Sequence, residues 1–174
     1  MQVVNIHESE LTASAPTVGV VIDNLATQKD VFWPRDQWPA MYFDRPLAVG
    51  AIGGHGPIRY IVDAYQPGRM ARFRFTDMPG FNGHHWLEVL PGPTQGSILR
   101  HTIQMEVTGW ARLYWLLIVR YLHDALLEDA LYQAQIAMGI PATQRPWSLW
   151  VKFLRRMRYK QPANHTTSRL EKES

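Results

Sequence analysis

The sequence predicts an α+β domain. A curved antiparallel sheet of about six strands closes over a long C-terminal helix, with a short basic amphipathic tail helix behind it. Three observations predict this. From about residue 47 to 107, apolar residues alternate in runs separated by Pro/Gly turns, and connections that short require antiparallel pairing. From Trp110 to Met138 the period lengthens to that of a helix, with no proline or glycine until Gly139 and Pro141. After Pro141, Trp147, Trp150, Val151, Leu154 and Met157 form one helical stripe, with Lys152, Arg155, Arg156, Arg158 and Lys160 beside it.

The elements follow in order. The first dozen residues are polar and read as loose. Val18, Val20 and Ile22 alternate with Thr17, Gly19 and Val21, which suggests a strand. Asp23 or Asn24 is placed to cap a short helix over Leu25 to Phe32. Pro34 and Pro39 limit any helix beyond it. Trp33, Trp38, Met41 and Phe43 make an apolar connector expected to pack over the core or close one end of it.

Gly53-Gly54-His55-Gly56-Pro57 reads as a turn. In the strands that follow, one face carries Ile58, Tyr60, Val62 and Ala64, then Ala71, Phe73 and Phe75, then His85, Leu87 and Val89, then Leu99, His101, Ile103, Met105 and Val107. Pro67-Gly68, Pro79-Gly80, Asn82-Gly83 and Pro91-Gly92-Pro93 supply the turns. The 110–138 helix would be about 40 Å long. Its first half is apolar nearly all round, which predicts deep burial. The expected organisation is a main domain over 1–140, an appended basic helix over 141–160 and a disordered tail over 161–174.

With 174 residues, 46% hydrophobic and 19% charged, the chain is long enough to bury a core without staples. The absence of cysteine excludes a disulfide framework, a thiolate nucleophile and a Cys-ligated zinc site. The net charge of +3 is local: no acid lies between Trp147 and Lys160. Nucleic acid is therefore not an expected partner; the basic residues read first as a solvated helix face, with the tryptophans of the 147–160 segment packing on the domain or on a second copy in a homodimer, and a membrane surface is the alternative contact. No signal-peptide pattern is visible, and the most apolar stretch, Leu113 to Val119, is far short of the roughly 20 residues a bilayer requires. The expected location is cytoplasmic.

The order of strand, short helix, antiparallel strands and long helix resembles the SRPBCC superfamily: START domains, polyketide cyclases and the major birch-pollen allergen. The resemblance rests on Gly53-Gly54-His55-Gly56-Pro57-Ile58-Arg59-Tyr60, Pro67-Gly68-Arg69, the Phe73 and Phe75 alternation, Leu99-Arg100-His101 and His123-Asp124-Ala125-Leu126. It covers roughly residues 14–138 and is carried by element order, not by a catalytic signature. It implies a helix-grip fold with a cavity between sheet and long helix, binding lipids, quinones or polyketide-like molecules, and in some members cyclisation or dehydration. It carries no catalytic residue over to this chain.

His85 and His101 each share a strand face with aliphatic residues. In apolar surroundings an imidazole stays neutral and can exchange a proton near pH 7, which suits general acid–base catalysis. A core histidine bonded to a backbone carbonyl is the plainer alternative. Arg120 and Asp124, with His123 alongside, are either an intrahelical ion pair or an anion-binding group held by Asp124. Asp124, Glu128 and Asp129 cluster like charges, so some of them should face solvent.

Arg59 and His55 either guard the cavity mouth or lie on the surface, and Arg59 or Arg120 is the candidate to stabilise an oxyanion. Tyr60, Phe73, Phe75, Trp86 and Met105 are available to line a pocket. Seven histidines invite a metal hypothesis, but no HExxH or comparable spacing exists, so no metal and no cofactor are expected. No serine lies in a nucleophile elbow, and the glycines make no phosphate loop. The first reading is a binder of a small hydrophobic ligand. Its alternatives are a cyclase or dehydratase using His85 and His101, and a peripheral membrane adaptor using the 147–160 helix.

Overall fold

The computed structural model describes residues 1–158. Seven strands form one sheet: β1 (Gln2–Leu11), β2 (Met41–Phe43), β3 (Ile52–His55), β4 (Ile58–Gln66), β5 (Met70–Thr76), β6 (Phe81–Pro91) and β7 (Ser97–Val107). Their order is β1-β7-β6-β5-β4-β3-β2, and every neighbouring pair is antiparallel. Helix α1 (Ala15–Asp23) precedes β2. The long helix begins as α2 (Ala111–Tyr114), passes through a π-helical turn (Trp115–Val119) and continues as α3 (Arg120–Ala137). Helix α4 (Leu149–Arg158) follows. This is the expected α+β helix-grip arrangement, with seven strands in place of about six.

One face of the sheet is buried by the alternation read from the sequence. Tyr60, Val62, Ala71, Phe73, Leu87, Val89 and Leu99 join Leu122, Ala125, Leu126 and Ala130 of α3 in one core. A turn of 3-10 helix at Pro93–Gln95 joins β6 to β7, and Gly68, with φ of +67°, turns the β4–β5 hairpin.

Several local expectations are corrected. Residues 2–11 are not loose: they pair with β7 along their whole length, Gln2 opposite Glu106 and Leu11 opposite Ser97. Residues 15–23 are helix, not strand. Pro16 sits in the first turn, where its missing N–H is harmless, and Val18, Gly19, Val21 and Ile22 turn inward at helical spacing. Gly19 is required there because a Cβ would lie 2.1 Å from the Gly68 carbonyl oxygen. Asp23 then fastens α1 to the hairpin, accepting hydrogen bonds from Gly68 N and Tyr65 Oη, both at 2.7 Å.

No helix covers Leu25 to Phe32. The Asp30 carboxylate instead gathers the backbone N–H groups of Ala26, Phe32 and Trp33 at 2.8–2.9 Å, a loop in which Ala26 takes φ of +60°. Gly53, Gly54 and His55 belong to β3, so the turn is confined to Gly56 and Pro57. Asn82 and Gly83 lie inside β6 rather than in a connection.

The first half of the long helix is not deeply buried. Only Ala111 and Trp115 are covered before Leu122, while Trp110, Leu113, Leu116, Leu117 and Tyr121 face out. Helix α4 buries Val151 and Leu154 against the domain, and the expected single stripe is split, because Trp150 and Met157 are exposed. Residues 159–174, including Lys160 and the tail expected to be disordered, lie outside the described residues.

Candidate functional site

The sheet's inner face, the long helix and the loop before β2 enclose a cavity of about 100 Å³. Phe73, Phe75, Ile103, Met105 and Met41 line it from the strands, Trp115, Leu122 and Leu126 from the helix, and Phe32, Trp33 and Trp38 from the loop. The connector thus closes one end, as its apolar content predicts. Roughly 300–1,000 Å³ is usual for a drug-sized ligand, so this hollow has room for about one ring unless its walls move.

Four imidazoles interrupt the apolar wall: His55, His85, His101 and His123. His85 stands on β6 opposite Phe73 and Ile103, stacked on Phe73 and Phe75 with both ring centroids 4.9 Å away. Its Nδ1 lies 3.2 Å from Nε2 of His101 on β7. His101 in turn lies 5.1 Å, centroid to centroid, from His123 on α3. His55 Nδ1 is 3.4 Å from the hydroxyl of Tyr60.

Burial disfavours the imidazolium and pushes all four pKa values down: His85 and His101 well below the usual range and His55 to about 3, with the other histidines adding repulsion. For His123 burial also dominates, opposed by the Asp124 carboxylate. The site is therefore a row of neutral rings. His85 Nε2, His101 Nδ1 and both nitrogens of His123 are buried without a protein hydrogen-bond partner. In the His85–His101 pair one nitrogen must donate and the other accept. Of the two nitrogens left over, one is then an N–H donor and the other a bare acceptor; they exchange roles when the shared proton crosses while a ligand takes the outer proton from one ring and supplies one to the other.

Asp124 sits beside this row, half buried. It accepts hydrogen bonds from Asn5 Nδ2 and His7 Nε2, both at 3.0 Å, and its Oδ1 is 3.7 Å from His123 Nδ1. Burial alone would raise its pKa, but the contacts with His123, His7 and Asn5 outweigh that and hold it below the ordinary carboxylate range. Among the described residues, His7, His123 and Asp124 bring ligand atoms within 4.8 Å of one another and could hold a metal ion. Hydrogen bonding inside the group already accounts for their closeness.

The structure brings His85, His101, Phe73, Phe75, Met105 and His123 together at the cavity. Tyr60 lies just behind the wall, fully buried against Phe73 and His85. Three expectations are corrected. Trp86 alternates with His85 and so faces the opposite side of the sheet, donating to Glu88 Oε1 at 2.9 Å. Arg59 also lies on the outer face and spends its guanidinium on the carbonyls of Gly56 and Ile58 and on the Tyr42 ring. Arg120 is more than half exposed and only 3.7 Å from Asp124, the intrahelical pair rather than a cavity cation. Arg158 of α4 is the arginine that reaches the lining.

Sequence reasoning missed His7, Asn5 and the role of Asp129, and it left His55 at the cavity mouth or on the surface, whereas the structure puts it in the lining. The glycines before His55 obscured its strand. They look like a turn but are strand, Gly53 lacking a side chain because the Phe43 ring fills that space at 2.4 Å from a would-be Cβ. His7 and Asn5 were hidden because the inward face of β1 is Val3, Asn5, His7, Ser9 and Leu11, while Val4 and Ile6 point outward. Asp129 is the acid of the cluster that does not face solvent. It accepts the indole N–H of Trp38 and of Trp147 and the amide of Gln144, each at 2.8 Å. The Arg155 guanidinium lies over both indoles, 4.3 and 3.9 Å from their centroids.

No family model and no curated protein matches the sequence. Solved structures do match in shape. Norcoclaurine synthase from Thalictrum flavum, as a point mutant with a transition-state analogue, is 15% identical with a TM-score of 0.61, over 80% of this chain and 96% of that one. The same enzyme is also known in complex with dopamine and hydroxybenzaldehyde, at 14% identity and a TM-score of 0.61 over 82% of this chain and 90% of that one. CalU16 from Micromonospora echinospora is 14% identical with a TM-score of 0.55, over 89% of this chain and 83% of that one. At such identities the likeness speaks for architecture, and together with the sheet order and the gripped helix it makes this an SRPBCC-type fold.

Proposed function

We propose that the protein binds a small, mostly apolar molecule with about one ring and at least one hydroxyl or carbonyl group, in the cavity between sheet and long helix. The observation that carries this is the set of neutral imidazoles with unpartnered buried nitrogens in an otherwise apolar wall. A buried polar group left unpaired costs about 1–3 kcal/mol, and a polar group on a ligand would recover that. Size points the same way: about 100 Å³ suits a single aromatic or quinone ring better than a lipid chain. The structural neighbour in complex with dopamine and hydroxybenzaldehyde holds single-ring compounds of this kind.

A second reading is a cyclase or dehydratase-type enzyme. Its support is the 3.2 Å contact between His85 and His101, which offers a donor and an acceptor that can exchange roles and so could move a proton between two atoms of an enolisable ligand. Arg158 then replaces Arg59 and Arg120 as the candidate to hold an oxyanion, because it alone of the three lies at the cavity.

Titration of the protein with single-ring phenols, quinones and aromatic aldehydes, followed by tryptophan fluorescence, tests both. Saturable binding should be weakened about ten-fold or more by Met105→Trp, which fills the hollow. The double variant His85→Gln, His101→Gln separates the readings: glutamine still offers a donor and an acceptor, so binding persists within a few-fold in either case, and only an enzyme also has a turnover, which the variant abolishes. No saturable binding by any member of the set would remove the proposal.

A further inference from the structure

The exposed half of the long helix and the outer side of α4 form one surface. Trp110, Leu113, Leu117 and Tyr121 recur along the outward side of the long helix, with Trp110 85% exposed. Helix α4 turns Val151 and Leu154 inward and presents Leu149, Trp150, Phe153 and Met157 outward, with Leu149 84% and Met157 68% exposed. The two sets adjoin. The Trp150 indole donates to the Leu117 carbonyl at 2.9 Å, inside the π-helical turn where the regular ladder is interrupted, and Arg158 lies over the Tyr114 ring at 5.1 Å. Contiguous apolar area on this scale marks a contact surface.

The two helix segments that build this surface carry charge of one sign. Ala111–Arg120 carries Arg112 and Arg120, Leu149–Arg158 carries Lys152, Arg155, Arg156 and Arg158, and neither segment has an acid. On α4, Lys152 and Arg156 fall along the edge of the apolar strip by helical spacing, a position from which long side chains reach a charged layer while the strip sinks below it. The residues after Arg158 include only Tyr159 and Leu170 as large apolar groups.

We infer that this surface docks the protein on an anionic membrane, with the outer face of α4 and the start of the long helix embedded at the headgroup boundary. A second copy fits less well, because a symmetric contact would press one basic rim against another. No described helix is long and apolar enough to cross a membrane. Arg158 belongs to both this surface and the cavity lining, so an apolar ligand leaving a bilayer would enter beside it. That route rests on the ligand-binding reading; docking does not, and its test needs no ligand.

The test is co-sedimentation of the full chain with phosphatidylcholine vesicles, with and without about one third phosphatidylglycerol. Anionic vesicles should bind about ten-fold or more tightly than neutral ones, and salt of about 0.5 M should remove the difference. Phe153→Ser with Met157→Ser, and separately Lys152→Glu with Arg156→Glu, should each weaken binding about ten-fold while the thermal midpoint stays unchanged. Absence of binding to anionic vesicles overturns the inference. So does a dimer in sedimentation velocity that the Phe153→Ser, Met157→Ser variant converts to monomer, since the surface would then belong to a second copy.

Discussion

Acid should unfold this protein earlier than its carboxylates require, and the row of buried histidines is the cause. In the unfolded chain each imidazole takes up a proton near pH 6.5; in the folded chain burial holds His55, His85 and His101 neutral far below that. The unfolded state therefore binds more protons, and stability rises with pH through this window. Stability is full above about pH 6.5 and is lost progressively as pH falls toward the folded pKa values, about 3 for His55. Three such groups together remove about 4 kcal/mol between about pH 7.5 and 5.5, a large share of the roughly 5–15 kcal/mol that holds a domain together. His123 contributes less, because Asp124 draws its pKa back up. Urea midpoints followed by tryptophan fluorescence across this range measure the slope. His85→Gln and His101→Gln should each flatten it by about 1.4 kcal/mol per pH unit. A slope below about 1 kcal/mol per unit between roughly pH 6 and 5, or one unmoved by these substitutions, refutes the reasoning.

Asp129→Ala removes the acceptor shared by the Trp38, Trp147 and Gln144 donors, and should cost about 3–5 kcal/mol. A thermal scan should show a drop of about 6–20 °C, with earlier proteolysis around residues 141–158; a drop of only a degree or two would contradict the account. Gly19→Ala drives a methyl into the Gly68 carbonyl, so α1 must shift from the β4–β5 hairpin at about 1–3 kcal/mol; an unchanged urea midpoint would show the crossing to be looser than described. Trp86→Ala should leave ligand titrations within two-fold of the parent, because Trp86 lies across the sheet from the cavity, about two-fold being the scatter of such measurements. Phe73→Ala should both destabilise by about 3–5 kcal/mol and admit larger rings, visible as a shift in ligand preference.

The strands from β4 to β7 were legible because each buries one face and wets the other, so period-2 patterning and Pro/Gly turns coincide with structure. The long helix was legible by its period, but its burial was not. Apolarity all round implies a buried helix only where nothing else covers or claims the outer side, and Leu113, Leu116 and Leu117 remain uncovered. Strand β1 was invisible because its inner face carries Asn5, His7 and Ser9, residues that serve the polar row rather than the core. In α1 the run Val18-Gly19-Val20-Val21-Ile22 is β-branched at every position but Gly19, and the contact with Gly68 that decides the matter is about fifty residues away. His85 and His101 could be found as imidazoles on apolar faces. Their mutual contact could not, since it depends on a diagonal register between β6 and β7.

The pairing of β1 with β7 makes the sheet's first strand wait for its last. His7 meets His101 and Gln2 meets Glu106, so on a ribosome adding roughly 5–20 residues per second the opening segment stays without its neighbour for about 5–20 s. During that interval Val4 and Ile6 are part of a bare strand, the kind of edge that recruits other chains. So distant a closure also predicts slow refolding for the molecule's size, with the histidine row assembled among the last events rather than the first.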